Sequence, residues 1–256
     1  QNITLAPVRS ARIYYTKLVT EYDALYTHVG GAGNCDDPTV NEQAKALCFI
    51  RRNKIKDMDQ FGLDFKSCHR LTNRLDQEVD YEHTMACFTE ELYKTATKRD
   101  WQNDGEWEEF FTPWKFKDDG AEKGNVTDIS FKFWNNKPDY DVAWKYSATD
   151  NTYSRINGGK AVVDLNTDDP IKAKMVVVQF AKEFGPLDEH LHMDYQITGS
   201  GKAIFFQDGK AVTGTWSKLS STVRTKFMAE GKEFVFNKGQ IWVEIVPDGN
   251  IIEYNK

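Results

Sequence analysis

Two arginines three positions apart, Arg9 and Arg12, are the side chains in this sequence best suited to hold an anion. Each guanidinium presents a planar fork of donors that matches a carboxylate or a phosphate. On a helix, that spacing would send both from one face, close to the positive end of the helix dipole. Downstream, His28 is followed by Gly30 and Gly31, where backbone can approach a ligand closely. In an α/β sheet the ligand crevice lies at such strand ends. The competing expectation is structural: Arg9 and Arg12 pair with Asp23, Asp36 or Asp37 and merely fasten the helix.

Other constellations are weaker. Asp188, His190, His192 and Asp194 would share one face if extended, and imidazole with carboxylate is a legitimate metal set. No distant histidine completes it, so a solvated strand end without a metal is expected. Gly199-Ser200-Gly201-Lys202 resembles a clipped phosphate loop, but Ala203 replaces the required hydroxyl, which predicts a turn. The basic run Arg51-Arg52-Asn53-Lys54-Ile55-Lys56 is offset by Asp57 and Asp59 and reads as a solvated face. Trp107, Phe110, Phe111 and Trp114, set among Asp104, Glu106, Glu108 and Glu109, predict burial against the C-terminal half, with a partner surface as the alternative. No nucleophile elbow, zincin helix or papain-type cysteine is present.

The elements that must position these residues change in kind along the chain. Apolar positions from Pro7 to about Tyr22 recur at three- and four-residue steps and predict a helix, followed by a strand from Ala24 to Val29. Further helices are predicted from Asp37-Pro38 to Leu47 and from Thr89 to Lys98, the latter with Leu92, Tyr93 and Ala96 on one side. After Gly120 the pattern turns to strands: Ile129 to Trp134, Asp141 to Tyr146, Met175 to Phe180, Lys202 to Phe206, Ala211 to Trp216 and Gln240 to Val246. Asp208-Gly209, between Phe206 and Ala211, is the clearest hairpin signal. The expected architecture is α+β, with an α/β domain over 1–118 and a mainly antiparallel β domain over 119–256.

The 256 residues, 40% hydrophobic and 28% charged, suffice for a sizeable core. A net charge of −6 argues against a nucleic-acid partner. No apolar run reaches the roughly 18 residues of a membrane helix. Residues 1–120 carry 16 basic against 21 acidic side chains, so an anion site around Arg9 and Arg12 must be local. The chain opens without methionine, and any targeting segment is expected to lie upstream. Cys35, Cys48, Cys68 and Cys87 form no C-x-x-C pair. Their even count allows three disulfide connectivities, of which Cys35 with Cys48 and Cys68 with Cys87 is expected, each bridge stabilising by about 3 kcal/mol. Four reduced buried thiols are the alternative.

A family resemblance rests on several motifs in order. Pro7-Val8-Arg9-Ser10-Ala11-Arg12, Tyr22-Asp23-Ala24 and His28-Val29-Gly30-Gly31 resemble the N-terminal signature of the YerB-like lipoproteins of Gram-positive bacteria. Val176 to Gln179, Gly199 to Ala203, Gly214 to Lys218 and Gly239 to Pro247 resemble the C-terminal part of that family, a two-part domain of unknown function. The resemblance implies a secreted protein at the cell surface, tethered by a lipidated cysteine upstream of residue 1 that starts partway into the N-terminal domain. It also carries over His83, although the family's surrounding run is replaced here by Glu82-His83-Thr84-Met85-Ala86-Cys87.

The expected role is non-catalytic binding or scaffolding of a wall component or envelope protein through Arg9, Arg12, His28, Gly30, Gly31 and His83, without a cofactor. The alternative is an envelope enzyme acting on phosphate-linked or peptidoglycan intermediates. There the arginines would clamp phosphate, and His28 or His83 would serve as general base.

Overall fold

The computed structural model describes residues 2–33, 35–101 and 111–255. It divides into two units, one formed by Gln1–Phe111 with Phe184–Asp194 and Ser220–Arg224, the other by Thr112–Glu183, Tyr195–Leu219 and Thr225–Lys256.

In the first unit, β1 (Thr4–Leu5) leads to α1 (Ile13–Glu21) and β2 (Leu25–His28). Residues 8–12 are not helical. Val8 N–H donates to Met85 O, Val29 N–H to Arg9 O and Ala11 N–H to Gly30 O. These long-range backbone bonds hold the segment extended, and α1 begins only after Arg12, whose φ of −129° and ψ of 147° are those of a strand. The expectation that Arg9 and Arg12 share a helix face is therefore corrected. Helical spacing was present, but nonlocal pairing overrode it.

Next come α2 (Ala46–Arg52), β3 (Lys56–Asp59), β4 (Cys68–Arg70), β5 (Met85–Phe88) and α3 (Thr89–Lys98). The helix predicted from Asp37-Pro38 is also corrected. Asp37 Oδ1 accepts from Thr39 N–H at 2.8 Å and closes a local turn, while the helix proper starts at Ala46. Short polar side chains compete in this way with helical backbone pairing. Strands β2 and β3 are parallel neighbours, and β1, β5 and β4 make an antiparallel sheet in that order. Helix α3 buries Leu92 and Ala96, while Tyr93 is exposed. With Val8, Met58, Met85 and the Cys68–Cys87 pair they make one cluster; Ala11, Ala46, Ile50 and Ile55 make another. Disulfides join Cys35 to Cys48 and Cys68 to Cys87, the second directly across paired positions of β4 and β5.

The second unit runs β6 (Lys115–Lys117), β7 (Asp128–Phe131), β8 (Val142–Ser147), β9 (Thr152–Asn157), β10 (Lys160–Ala161), β11 (Lys172–Ala173) and β12 (Met175–Ala181). After the short strands β13 (Glu183–Phe184) and β14 (Asp194–Tyr195), it continues with β15 (Gly199–Gln207), β16 (Lys210–Lys218), β17 (Lys226–Ala229), β18 (Lys232–Glu233), β19 (Val235–Asn237), β20 (Ile241–Pro247) and β21 (Ile252–Tyr254). One sheet has the order β10-β9-β8-β7-β21, with β11 also on β9; the other has β18-β17-β16-β15-β12-β20. Only β12 and β20 are parallel in these two sheets.

The inner faces of both sheets share a core of Ile129, Phe131, Trp144, Tyr153, Val176, Val178 and Phe206. Met175, Val177, Phe205, Trp216 and Phe227 form a second core on the other face of the β12 sheet. Burial on both faces explains why Met175 to Val178 reads as a continuous apolar run rather than an alternating one. The architecture is α+β.

Asp208 and Gly209 form the β15–β16 hairpin with φ of 55° and 67°, the left-handed pair that this turn type requires. Gly199 to Lys202, expected to be a turn, instead begins β15. At Gly201 an added Cβ would lie 2.6 Å from Trp216 Nε1 and 2.8 Å from Phe180 O, so this glycine serves close packing within a strand. The stretch from Trp107 to Phe110, with its carboxylates, lies outside the described residues. Of its neighbours, Phe111 lies 5.2 Å from the Arg224 guanidinium within the first unit, and Trp114 Nε1 donates to Thr225 O at 2.7 Å within the second.

Candidate functional site

The 3₁₀ turn Tyr81–His83, which closes the excursion from β4 to β5, collects more cationic side chains than the sequence suggested. The turn is built locally: His83 N–H donates to Asp80 O at 2.8 Å, and both Thr84 N–H and Thr84 Oγ1 donate to Tyr81 O. Leu71 N–H bonds Thr84 O and draws the turn onto the end of β4. Arg70, the last residue of β4 and the register partner of Met85, therefore reaches Tyr81 O, and its guanidinium stacks 3.6 Å from the Tyr81 ring centroid. Arg74 Nη2 donates to His83 O at 3.4 Å, while its Nε is buried without a hydrogen-bond partner among the described residues. From the other side, the Val8–Met85 bond brings Arg9 against the turn, where Nη2 donates to Glu82 Oε1 at 2.8 Å. His83 Nε2 lies 3.5 Å from the same oxygen.

Three guanidinium groups and an imidazole thus gather at one turn, and of these Arg9 and His83 face the carboxylate of Glu82. Arg9 and Glu82 are 43% and 63% exposed, so the cluster is an open surface. Its geometry suits capture of a multivalent anion by forked donors.

The structure sends the remaining expected site residues elsewhere. Arg12 turns back on its own segment, donating to Ser10 Oγ at 2.7 Å and to Ala11 O at 2.9 Å. Gly30 closes the end of β2: its N–H meets Asp59 Oδ1 at 3.0 Å, and its carbonyl accepts from Ala11 N–H. Gly31 is a packing glycine, since a Cβ there would lie 2.8 Å from Leu47.

His28 is buried, with Nδ1 2.7 Å from Gly30 O and Nε2 2.8 Å from Asp57 Oδ1. Both partners are acceptors, so the ring is satisfied when both nitrogens carry protons. Burial pulls its pKa down, but the Asp57 hydrogen bond, the Gly30 carbonyl and the charges of Asp57 and Asp59 outweigh that and hold it above the ordinary histidine value. Both nitrogens are engaged, and the Nε2–Asp57 contact fastens β2 to β3.

The segment does not run extended from Asp188 to Asp194: Leu191 N–H donates to Asp188 O and closes a turn over 188–191. Asp188 takes His192 Nδ1 at 2.6 Å, and His190 is exposed. Among the described residues no group of three or more histidine, cysteine or acidic side chains is placed to hold a metal.

Arg70 and Arg74 were missed. They are four apart, a spacing that carries meaning only on a helix, and the acidic Asp76, Glu78 and Asp80 nearby disguise them. The signal that could have found them is the pair of arginines flanking a loop that ends in His83.

Residues 129–243 match the family described as the C-terminal domain of a protein of unknown function, DUF3048. A Bacillus subtilis (strain 168) protein named "Putative lipoprotein YerB" is 23% identical over 246 residues, covering 96% of this chain and 67% of the relative. The crystal structure of YerB protein from Bacillus subtilis superposes with a TM-score of 0.78 at 21% identity, covering 98% of this chain and 77% of that one. At that identity the likeness shows the fold.

Proposed function

We propose that this chain, which is similar to the YerB protein of Bacillus subtilis over 96% of its length, is a non-catalytic binding or scaffolding protein of the cell envelope, held outside the cytoplasm by a lipid anchor. The name of the Bacillus subtilis relative supports the anchor, and the two disulfides suit an oxidising compartment. No helix among the described residues is long and apolar enough to cross a membrane.

The observation that carries the binding role is the convergence of Arg9, Arg70, Arg74 and His83 on the Tyr81–His83 turn, a positive patch inside an acidic half of the sequence. Its partner is an anionic wall component or the acidic surface of an envelope protein. Inorganic polyphosphate, isolated wall fragments and solubilised envelope proteins are titrated separately against the wild type and Arg9→Ala with Arg74→Ala. Binding in one arm that weakens by roughly tenfold or more in the variant, with a shallower salt dependence, is expected. Unchanged binding would remove the assigned site. A signal confined to the envelope-protein arm would select a protein partner over a wall polymer.

A further inference from the structure

The outer face of the β10-β9-β8-β7-β21 sheet carries a trough that the arginine cluster does not use. Ile156, Ala143, Ser130 and Glu253 stand in one register row across β9, β8, β7 and β21. Their strand neighbours Phe131, Val142 and Trp144 are buried in the core, so alternation places this row on the opposite face. Ala143 and Ser130, on the two central strands, leave the floor low. The loop after β7 and the Gly249 to Ile251 turn rise beside it, enclosing about 840 Å³. That lies within the roughly 300–1,000 Å³ of small-ligand sites.

Three features define what would fit. Trp134 on the wall is 44% exposed, set edge to face against Tyr140 at 5.2 Å and held by Phe133 at 5.9 Å. An exposed, braced indole offers a flat apolar surface for the C–H face of a sugar ring. Asp141, beside it, has its acceptor capacity almost unspent: Oδ1 has no partner among the described residues, and Oδ2 has only Lys132 Nζ at 3.6 Å. Oδ1 is closed off from solvent, so the acceptor a ligand in the trough can reach is Oδ2, whose contact with Lys132 is long enough to leave it free to take a donor. Asn250 spends its amide N–H on Lys132 O at 2.7 Å and leaves its carbonyl oxygen to accept.

The charged lining groups are Lys132 against Asp141 and Glu253, a balance that disfavours an anion. Ser130, Asp141, Asn250 and Glu253, interspersed along the lining, break up the apolar surface an acyl chain would need. We propose that this trough binds a neutral oligosaccharide, its hydroxyls donating to Asp141 Oδ2 and to the Asn250 carbonyl oxygen and one ring stacking on Trp134. The proposal stands independently of the arginine cluster.

Calorimetric titration of the full chain with cellotetraose and with chitotetraose tests it. Millimolar or tighter binding to at least one is expected, weakened roughly tenfold or more by Trp134→Ala. Ser130→Leu, which fills the floor from the solvent side, should give the same loss with an unchanged thermal midpoint, so that blocked binding is told apart from unfolding. Arg9→Ala with Arg74→Ala should leave it unaltered. The proposal is overturned if neither sugar binds, if binding survives both trough variants, or if the trough variants instead abolish binding of polyphosphate or of phosphatidylglycerol vesicles.

Discussion

Two charged turns, one in each unit, show opposite uses of the same electrostatics. At the β15–β16 hairpin, the Asp208 side chain is only 8% exposed and accepts from Asn151 Nδ2 and Asn237 Nδ2, both at 2.8 Å, and from Lys123 Nζ at 3.0 Å. Its surroundings are satisfied in turn: Tyr146 OH donates to Asn151 Oδ1 at 2.7 Å, and Gly209 N–H donates to Tyr153 OH at 3.0 Å. At the Tyr81–His83 turn the cations outnumber the carboxylate, donors are left over, and the surface is open. A saturated buried charge fixes structure, because removing any member strands the others. An unsaturated exposed cluster contributes little to folding and keeps its donors for a partner.

The contrast can be broken most severely at Asp208. Asp208→Ala strands two amides and an ammonium group, and a loss of about 3–5 kcal/mol is expected in denaturant unfolding. A loss below about 1 kcal/mol would show that the network does not lock the hairpin.

Acid probes the same group without mutation. Burial raises the Asp208 pKa, but hydrogen bonds from Asn151, Lys123 and Asn237, with the Lys123 charge, bring it down to about 2. Because the folded value lies below the unfolded one near 3.9, its contribution of roughly 2–3 kcal/mol is complete above about pH 4 and is lost between about pH 4 and pH 2. Unfolding midpoints measured across that interval, for wild type and Asp208→Asn, should converge at the acid end.

His28 has the opposite sign. Its folded pKa is raised, so its contribution is complete below about pH 6.5 and disappears as pH rises through the folded value. His28→Gln is expected to cost about 1–3 kcal/mol at pH 5.5 and less at higher pH. A cost that grows with pH would contradict the doubly protonated ring.

The smallest effect sharpens the comparison from the open side. Glu82→Gln should change unfolding free energy by less than about 0.5 kcal/mol, because its contacts are exposed. Polyphosphate binding, followed in the same titration, should strengthen by a few fold as the carboxylate that competes for Arg9 and His83 is removed.

How far such sites can be read from sequence depends on the range of the interactions that make them. The Asp208-Gly209 hairpin and α3 at Thr89–Lys98 were legible because left-handed turn chemistry and helical periodicity act between neighbours. Arg9 and Arg12 were misplaced on a helix because the bonds of residues 8–11 go to Met85 and to Gly30, beyond any local window. His28 was legible as a special residue but not as a strand-to-strand fastener, since Asp57 and Asp59 reach it only through the β2–β3 pairing. Gly201 signalled close approach of backbone, yet the neighbour is Trp216 rather than a phosphate.

By itself, then, the sequence determined the class of the protein: an α/β segment followed by a strand-rich one, with an acidic balance and an even set of cysteines. Those follow from composition, local periodicity and turn geometry. Only the tertiary structure decided which charges are spent and which are available. Residues far apart in sequence, Arg9 with Glu82 and Asp208 with Asn151 and Lys123, acquire their roles when the sheets bring them within hydrogen-bonding distance.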